Sequence, residues 1–395
     1  MNDWVIKKLC EISSKITKGT TPANGQGFVD QGINYIKSEA IGYDGQIDKS
    51  KFAFIDQDTH NRLERSHLEK NDILFSMAGV YLGKSAIVTE DMLPANTNQA
   101  LAIIRLKQDL VIPKFINFFL RQEHIIDYVN NMSGQSAQPN INFQEIGSID
   151  ILLPSLPEQR AIAGVLSSLD EKIDLLHRQN KTLEGMAEAL WRKMFIEEAD
   201  LGWKKGKLGD YGQIICGKTP SKKTPEYFGG DIPFIKIPDM HGNVFIFETE
   251  DSLTEAGKKS QQNKTIPAKS ICVSCIATVG LVSMNAADSQ TNQQINTIIP
   301  RKEFQRYFLF LLMRNMTDDL FARASGGTAT DNLNTGDFSR IEITIPSEKI
   351  VQKYDELVKN YFEKIYKNQI QIRTLSNLRD ALLPKLMSGE VRVKN

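Results

Sequence analysis

The sequence of 395 residues contains no long hydrophobic run. None of its apolar stretches approaches the roughly 18 residues that a bilayer-spanning helix needs. The first residues, MNDWVIKKLCEISSK, also lack the apolar core and the small-residue cleavage site of a secretion signal. We therefore expect a cytoplasmic protein that does not bind membranes.

Cysteine is scarce, and neither sign of charge is in excess. The four cysteines are too few and too scattered for a disulfide framework, which agrees with a reducing compartment. Lysine plus arginine and aspartate plus glutamate both number 48. The net charge therefore indicates no polyanionic partner, and the charge pattern has to be analysed locally.

The chain does contain a long internal repeat. Trp4, Lys8 and Leu9 recur 199 residues later as Trp203, Lys207 and Leu208. GTTP, INYIK and NTNQA of the first copy correspond to GKTP, IPFIK and QTNQQ of the second. From residue 133, SGQSAQPNINFQEIGSIDILLPS aligns without a gap on SGGTATDNLNTGDFSRIEITIPS, with nine identities in 23 positions. Two similar units of nearly 200 residues thus make up the chain.

Residues 212–219, GQIICGKT, match the phosphate-loop pattern G-x-x-x-x-G-K-[ST]. The first copy has Ser14 and Thr20 in place of Gly212 and Lys218. A phosphate loop also opens a helix, whereas Pro220 disfavours helical geometry at the preceding residue. An ATP-hydrolysing enzyme that uses this segment stays as an alternative that substitution of Lys218 would test.

The sequence offers no convincing metal, cofactor or catalytic motif. Cys272 and Cys275 form a CxxC pair, but Leu74 and Met77 occupy the corresponding positions of the first copy, so we expect small core residues. The five histidines form no H-x-x-x-H pair or Cys-His cluster. The [DNS]PP[YF] and glycine-rich motifs of adenine methyltransferases are absent. We expect a non-catalytic chain without a cofactor or metal.

The first 150 residues or so of each unit predict a mixed α/β domain of the α+β class. Short segments such as INYIK, NDILFSM and LAIIRL read as strands separated by glycine, proline and asparagine. The stretch PKFINFFLRQEHIIDYVNNM reads as helical. Asn142 and Asn334, each three residues before an acidic residue, are typical helix caps.

The last 40 residues of each unit predict a long helix. After a capping box formed by Ser155 and Glu158, apolar residues recur at alternating spacings of three and four, as in a coiled-coil seam. The seam positions of the first copy are Leu166, Leu169, Ile173, Leu176, Asn180, Leu183, Ala187, Leu190 and Met194. Those of the second copy are Val358, Tyr361, Ile365, Asn368, Ile372, Leu375, Arg379, Leu382 and Leu386.

The two helices are expected to pair as an antiparallel coiled coil, with the domains at its opposite ends. The polar seam residues Asn180, Asn368 and Arg379 weaken pairing in general but can fix the register. The predicted organisation is a first domain at residues 1–154, a first helix at 155–198, a second domain at 199–346, and a second helix with a tail at 347–395.

Each unit carries in order an early GxTP turn, a TNQ segment, an SG-containing loop and an ILLPS-like strand before its long helix, and the second unit ends in ALLPKLMSGEV. In the order and twofold recurrence of these features, the chain resembles the specificity subunits of Type I restriction-modification systems. The resemblance covers essentially the whole chain.

The resemblance implies that each domain is a target recognition domain that reads one half of a bipartite sequence in double-stranded DNA. It also implies that the helices fix the gap between the halves and dock two methyltransferase subunits, to which restriction subunits are added for cleavage. Methylation and cleavage would then reside in these partners. The alternatives are a coiled-coil scaffold that binds proteins, and a specificity subunit of another bipartite-site restriction system.

Candidate DNA-binding residues follow from local charge and from differences between the copies. Residues 203–223 carry six lysines against one aspartate, and the start of the first unit is also lysine-rich, so these segments are candidates for phosphate contacts. Asn98 and Gln99 recur as Asn292 and Gln293, which favours a shared role in bracing the fold over base reading. The predicted DNA-binding set is Lys15, Lys18, Thr20, Lys37, Gln135, Gln138, Lys218, Thr219, Ser221, Lys222, Lys223, Lys236 and Thr328.

Overall fold

The computed structural model describes residues 4–79, 82–132, 140–325 and 332–393. The chain forms two compact units, one of residues 1–172 with 375–395 and the other of residues 173–374. Both boundaries fall within long helices. The domain boundaries proposed from the sequence stay a prediction.

The first unit combines three sheets with short helices and parts of both long helices. Its elements are β1 (Val5–Lys8), β2 (Ser13–Lys18), β3 (Phe28–Val29), β4 (Ile33–Ile36), β5 (Ala53–Ile55), α1 (Gln57–Arg62), β6 (Ile73–Ser76), β7 (Ser85–Ile87), β8 (Ala95–Thr97), β9 (Leu101–Leu106), α2 (Pro113–Leu120), α3 (Glu123–Met132), α4 (Phe143–Gly147), β10 (Asp150–Leu153) and α5 (Leu156–Arg192). The sheet orders are β2-β9-β6-β7, β3-β5-β4-β8 and β1-β10. Only the β4–β8 pair among them is parallel.

The second unit repeats this plan. Its elements are β11 (Lys204–Lys207), α6 (Leu208–Tyr211), β12 (Gly212–Cys216), β13 (Phe228–Ile235), α7 (Ile237–Met240), β14 (Phe245–Ile246), β15 (Asp251–Leu253), α8 (Glu255–Lys259), β16 (Ile271–Ser274), β17 (Val282–Asn285), β18 (Gln290–Thr291), β19 (Ile295–Pro300), α9 (Arg306–Asn315), α10 (Thr317–Ala324), α11 (Thr335–Ser339), β20 (Glu342–Ile345) and α12 (Glu348–Ser388). The sheet orders are β12-β19-β16-β17-β14, β15-β13-β18 and β11-β20. The mixed α/β class predicted from the sequence is confirmed.

Local sequence signals explain several of these elements. Pro113 begins α2, where a missing N–H is tolerated. Asn142 caps α4 by accepting hydrogen bonds from two backbone N–H groups, and Glu145 completes a capping box. The Asn334 side chain accepts a hydrogen bond from the Asp337 backbone N–H and caps α11 in the same way. Both predicted caps are confirmed.

The prediction of two long helices is also confirmed, and none of the predicted seam residues is exposed. Within the second unit, α5 and α12 pair in antiparallel fashion. The Asn368 amide donates a hydrogen bond to the Asn180 side chain, and the Tyr354 hydroxyl donates to the Ala187 carbonyl at 3.0 Å. Within the first unit, Arg379 of α12 is paired with Asp170 of α5 at 2.9 Å. This contact holds the C-terminal part of α12 in the first unit.

The helices bury more than the predicted seam. Trp191, Phe195, Tyr354 and Phe362 are buried in the hydrophobic core of the second unit, together with Phe308 of α9. The rings of Phe195 and Phe308 meet at 4.7 Å between centroids. These aromatic residues extend the apolar face beyond a two-position seam, so the end of α5 and the start of α12 both pack in the core of the second unit.

The phosphate-loop match does not form a phosphate loop. Residues 212–216 form β12, an edge strand that pairs with β19, and the segment after Lys218 does not open a helix. The lysine therefore lacks the helix N-terminus that such a loop provides. The interpretation of Cys272 and Cys275 as core residues is confirmed, since both are buried and free.

Candidate nucleic-acid interface

Several loops meet at one end of the largest sheet of the second unit. Strands β12 and β16 end there, at Cys216 and Ser274, while β17 and β19 begin there. Because these strands are antiparallel neighbours, residues 217–227, 275–281 and 291–294 all leave the sheet at this end. Ile276 also forms a β-bridge with Asn332, which brings in a fourth segment. We call this surface the loop end of the unit.

Backbone hydrogen bonds join these loops to one another. The Lys218 N–H donates to the Thr291 carbonyl at 2.9 Å, and the Cys275 N–H donates to the Gln294 carbonyl at 2.8 Å. The Leu333 N–H donates to the Cys275 carbonyl at 2.9 Å. The loop end is therefore a connected surface rather than a set of independent loops.

The first unit builds the same loop end. The Thr20 N–H donates to the Thr97 carbonyl at 2.9 Å, the Met77 N–H to the Ala100 carbonyl at 2.9 Å, and the Ile141 N–H to the Met77 carbonyl at 3.0 Å. These bonds connect the segments that correspond by repeat to those of the second unit.

Glycine begins the GxTP turn for a steric reason. A Cβ atom at Gly217 would clash with the backbone carbonyl of Asn292, and one at Gly19 would clash with that of Asn98. A side chain at either position would push the turn away from the TNQ loop. The motif shared by the two copies thus holds two loops in contact.

Lysines are concentrated at the loop end of the second unit. Lys218, Lys222 and Lys223 are exposed, as is Ser221. Within the described ranges, none of these three lysines is in an ion pair, so their charge is available to an anionic partner. The first unit places exposed Lys18 and half-buried Thr20 at its own loop end.

Other predicted lysines are less available. Lys236 pairs with Asp251 at 2.5 Å and with Glu250 at 3.7 Å, and the hydrogen bond to Asp251 raises the pKa of Lys236. Lys37 lies 3.9 Å from Glu39 and 5.5 Å from the centre of the Phe28 ring. Lys15 is exposed within β2 and not in a loop. Gln135, Gln138 and Thr328 fall outside the residues that the structure describes.

The structure separates the lysine-rich stretch into two groups. Lys204, Lys205 and Lys207 belong to β11, which precedes the start of β12, whereas Lys218, Lys222 and Lys223 follow the end of β12. Lys7 and Lys8 of β1 likewise precede β2, and Lys18 ends it. We assign to the loop end only the lysines at or after the end of each strand, namely Lys18 in the first unit and Lys218, Lys222 and Lys223 in the second.

The shared TNQ residues have different roles. Asn292 is buried and donates from Nδ2 to Oε1 of Gln294 at 2.8 Å, so its predicted bracing role is confirmed. Gln293 is exposed and accepts a hydrogen bond from the Thr219 hydroxyl at 2.7 Å. This hydrogen bond joins two loops, as the bracing interpretation predicts, although the Gln293 side chain stays exposed.

The hairpin loop between the third and fourth strands of the sheet was not among the predicted DNA-binding segments. Gly79 in the first unit has φ +97°, and its repeat counterpart Ala277 has φ +66°, a left-handed conformation that is strained for a residue with a Cβ atom. Ala277 and Thr278 are exposed at the loop end. A glycine that follows a buried strand was the available signal in the first copy.

Two features are absent from the described residues. Among residues 4–79, 82–132, 140–325 and 332–393, histidine, cysteine, aspartate and glutamate form no group of three or more that would hold a metal ion. In those same ranges no helix is both long and apolar enough to cross a bilayer.

Comparison with known proteins identifies the family. The model of the Type I restriction modification DNA specificity domain matches residues 1–185 and 201–374, one match for each repeat unit. The chain is also 36% identical to the specificity subunit of the HindI Type I restriction enzyme of Haemophilus influenzae, over 82% of this chain and 87% of that protein. The chain belongs to the Type I restriction-modification specificity subunits.

Further matches extend over the whole length of this specificity subunit. It is 26% identical to the MjaIX specificity subunit of Methanocaldococcus jannaschii over 99% of this chain and 94% of that protein. A crystal structure of the S subunit from M. genitalium superposes with a TM-score of 0.64 at 16% identity, over 98% and 97% of the two chains. This likeness shows that the fold is shared. Each repeat unit thus contains one recognition domain.

Proposed function

We propose that the loop end of each recognition domain of this specificity subunit reads one half of a bipartite sequence in double-stranded DNA. The observation that carries the proposal is that the two units present the same loops on the same scaffold but with different exposed side chains. The exposed Lys218 of the second domain, for example, stands where the first has the half-buried Thr20. Two domains that share a scaffold but differ in their exposed side chains suit two half-sites of different sequence.

Lys18 in the first domain and Lys218, Lys222 and Lys223 in the second contact phosphates. Such contacts fix the register of each domain on the duplex without reading sequence. The side chains between them read base edges in the groove. The long helices fix the spacing of the half-sites.

The exposed faces of the long helices dock two methyltransferase subunits, and restriction subunits complete the cleaving complex. Leu175 and Met186 on α5, and Leu357, Ile370 and Leu378 on α12, are large apolar residues that stay exposed in the subunit. Met186 and Leu378 correspond in the repeat, 192 residues apart. An exposed apolar residue at the same position of both helices suits two copies of one partner. The subunit itself is non-catalytic and leaves the chemistry to these partners.

The test is to express the subunit with the modification subunit of the same system and to map methylated adenines in the host genome by single-molecule sequencing. We expect methylation at one motif made of two specified halves separated by an unspecified gap of fixed length. A complex that forms and binds methyl donor but methylates no such motif would overturn the proposal. A protein-binding scaffold would instead show no salt-sensitive binding to DNA.

A further inference from the structure

Gln293 lies at the apex of a loop whose backbone is held on several sides. The Asn292 N–H donates to the Ile235 carbonyl at 3.0 Å, and the Gly217 N–H donates to the Ile295 carbonyl at 3.1 Å. Asn292 also accepts a hydrogen bond at Oδ1 from the Gln294 N–H at 3.1 Å. The backbone on both sides of Gln293 is therefore fixed while its side chain is exposed at the loop end.

The Gln293 side chain is itself held in place. The Thr219 hydroxyl donates to Gln293 Oε1 at 2.7 Å, across the two loops that Gly217 keeps in contact. A threonine hydroxyl can pair with either end of an amide, and the amide oxygen accepts two hydrogen bonds while the amide nitrogen donates two. Whichever end faces Thr219, one donor and one acceptor of Gln293 therefore stay available to a ligand.

We propose that Gln293 is a specificity-determining residue that reads an adenine in the half-site of the second domain, with Thr219 as its positioning residue. This inference rests on the proposed function. A glutamine amide matches the adjacent acceptor N7 and donor N6 of adenine, which no other base presents in the major groove. A base-reading side chain is most selective when neighbouring groups lock its orientation, as Thr219 does here.

The surroundings of Gln293 suit contact with DNA. The loop that supplies Thr219 also supplies exposed Lys218, Lys222 and Lys223, which belong to no ion pair of the described residues. Phosphate contacts by these lysines would bring the groove edge to the loop end. Thr219, expected from the sequence to bind DNA, thus acts through Gln293.

The first domain lacks this lock. Its counterpart of Gln293 is Gln99, which is exposed and has no side-chain hydrogen bond within the described residues. In the first domain the Tyr35 hydroxyl donates to the Thr20 carbonyl at 2.9 Å, and among the described residues no hydrogen bond joins Thr21, the counterpart of Thr219, to Gln99. The two domains therefore differ at this position even though both keep the glutamine. A glutamine that recurs in both domains can thus select a base in only one of them.

The test is to map methylated motifs for the complex that contains Gln293→Ala. We expect one A·T position, in one half of the motif only, to become degenerate, with methylation of sites altered at that position rising roughly tenfold or more relative to the wild-type site. Thr219→Val, which removes the hydroxyl, is expected to relax the same position less, and Thr219→Ser to restore selectivity. Gln213→Ala serves as the matched control, because Gln213 is exposed at the start of β12, away from the loop end.

The outcomes separate this inference from the proposed function. A wild-type complex without a split motif would refute the proposed function. A split motif that Gln293→Ala leaves unchanged would overturn the role of Gln293 alone. If Gln293→Ala abolishes methylation everywhere, the purified complex is assayed for binding to duplexes that carry each base pair at every motif position. Loss of discrimination at one A·T position supports the inference, and an unaltered profile overturns it.

Discussion

The amide nitrogen of Asn368 donates a hydrogen bond of 2.8 Å to Oδ1 of Asn180, where α5 and α12 pair within the second unit. Both side chains are buried, with 7% of Asn180 and 1% of Asn368 exposed. A polar pair in an otherwise apolar helix contact lowers stability but penalises registers in which the two amides do not meet. We infer that this pair fixes the register of the helices.

Replacement of one asparagine is expected to be more harmful than replacement of both. Asn180→Leu would leave the buried Asn368 amide without this partner, at a cost of about 1–3 kcal/mol in the free energy of unfolding. The double variant Asn180→Leu/Asn368→Leu should recover most of that loss. Denaturant unfolding of both single variants and the double variant measures the coupling. If the double variant lost as much unfolding free energy as the two single variants together, the two asparagines would not act as a pair.

Asp170 is expected to be a sensitive position of the first unit. It lies 3.0 Å from Arg121 and 2.9 Å from Arg379, and all three side chains are at most 14% exposed. Asp170→Asn would remove the counter-charge of Arg121 and leave Arg379 with Asp380 alone, and should cost about 3–5 kcal/mol of unfolding free energy.

The control for this variant is Asp174→Asn. Asp174 pairs with Arg178 at 3.1 Å on the exposed surface of the same helix, where an ion pair contributes less than about 1 kcal/mol. The melting temperature of Asp170→Asn should therefore be clearly lower than that of Asp174→Asn. Equal melting temperatures would mean that the buried network does not stabilise the first unit.

Asp355 predicts a pH dependence of stability. Burial raises the pKa of this carboxyl from 3.8 to about 6, nearby Glu303 and Glu356 add to the rise, and Lys359 and Arg306 oppose it. Since the folded state binds the proton more tightly than the unfolded state, this group favours folding below about pH 4, and its contribution is lost as pH rises through about 6.

Asp355→Asn is therefore expected to raise the melting temperature at pH 7–8 and to have little effect near pH 4. Melting curves of the variant and the wild type across this range measure the difference. A difference that is independent of pH would mean that the Asp355 carboxyl is not the titrating group.

Lys222 is expected to contribute affinity without specificity. Lys222→Ala should lower binding to all duplexes alike and reduce the slope of log affinity against log salt by about 0.9, the value for one phosphate contact. Lys204→Ala is the control, because Lys204 lies in β11, before the start of β12. DNA-binding titrations at several salt concentrations measure this slope for each variant. Equal slopes for Lys222→Ala and Lys204→Ala would contradict a phosphate contact by Lys222.

The sequence predicted the features that are encoded locally or by repetition. The heptad spacing from Leu166 onward gave both long helices, because a helix of this length shows its period directly. Comparison of the copies rejected the phosphate loop, since Thr20 stands in place of Lys218. It also identified Cys272 and Cys275 as core residues, since Leu74 and Met77 occupy the same positions.

Features that depend on distant contacts could not be predicted in this way. Tyr354 and Phe362 face the core of the second unit because α9 packs there, and no local sequence pattern predicts that α9 is their neighbour. The selective role proposed for Gln293 depends on Thr219, which is 74 residues away in the chain. Recurrence of Gln99 and Gln293 suggested a common role, but only the contacts distinguish the braced Asn292 from the exposed Gln293.

Reading of one half of the DNA site by each recognition domain can be tested by a domain exchange. Residues 1–154 are replaced with those of a relative of different specificity, and methylated adenines are mapped with the same modification subunit. We predict that one half of the split motif changes while the other half and the gap between them stay the same. A change in both halves, or in neither, would contradict the account.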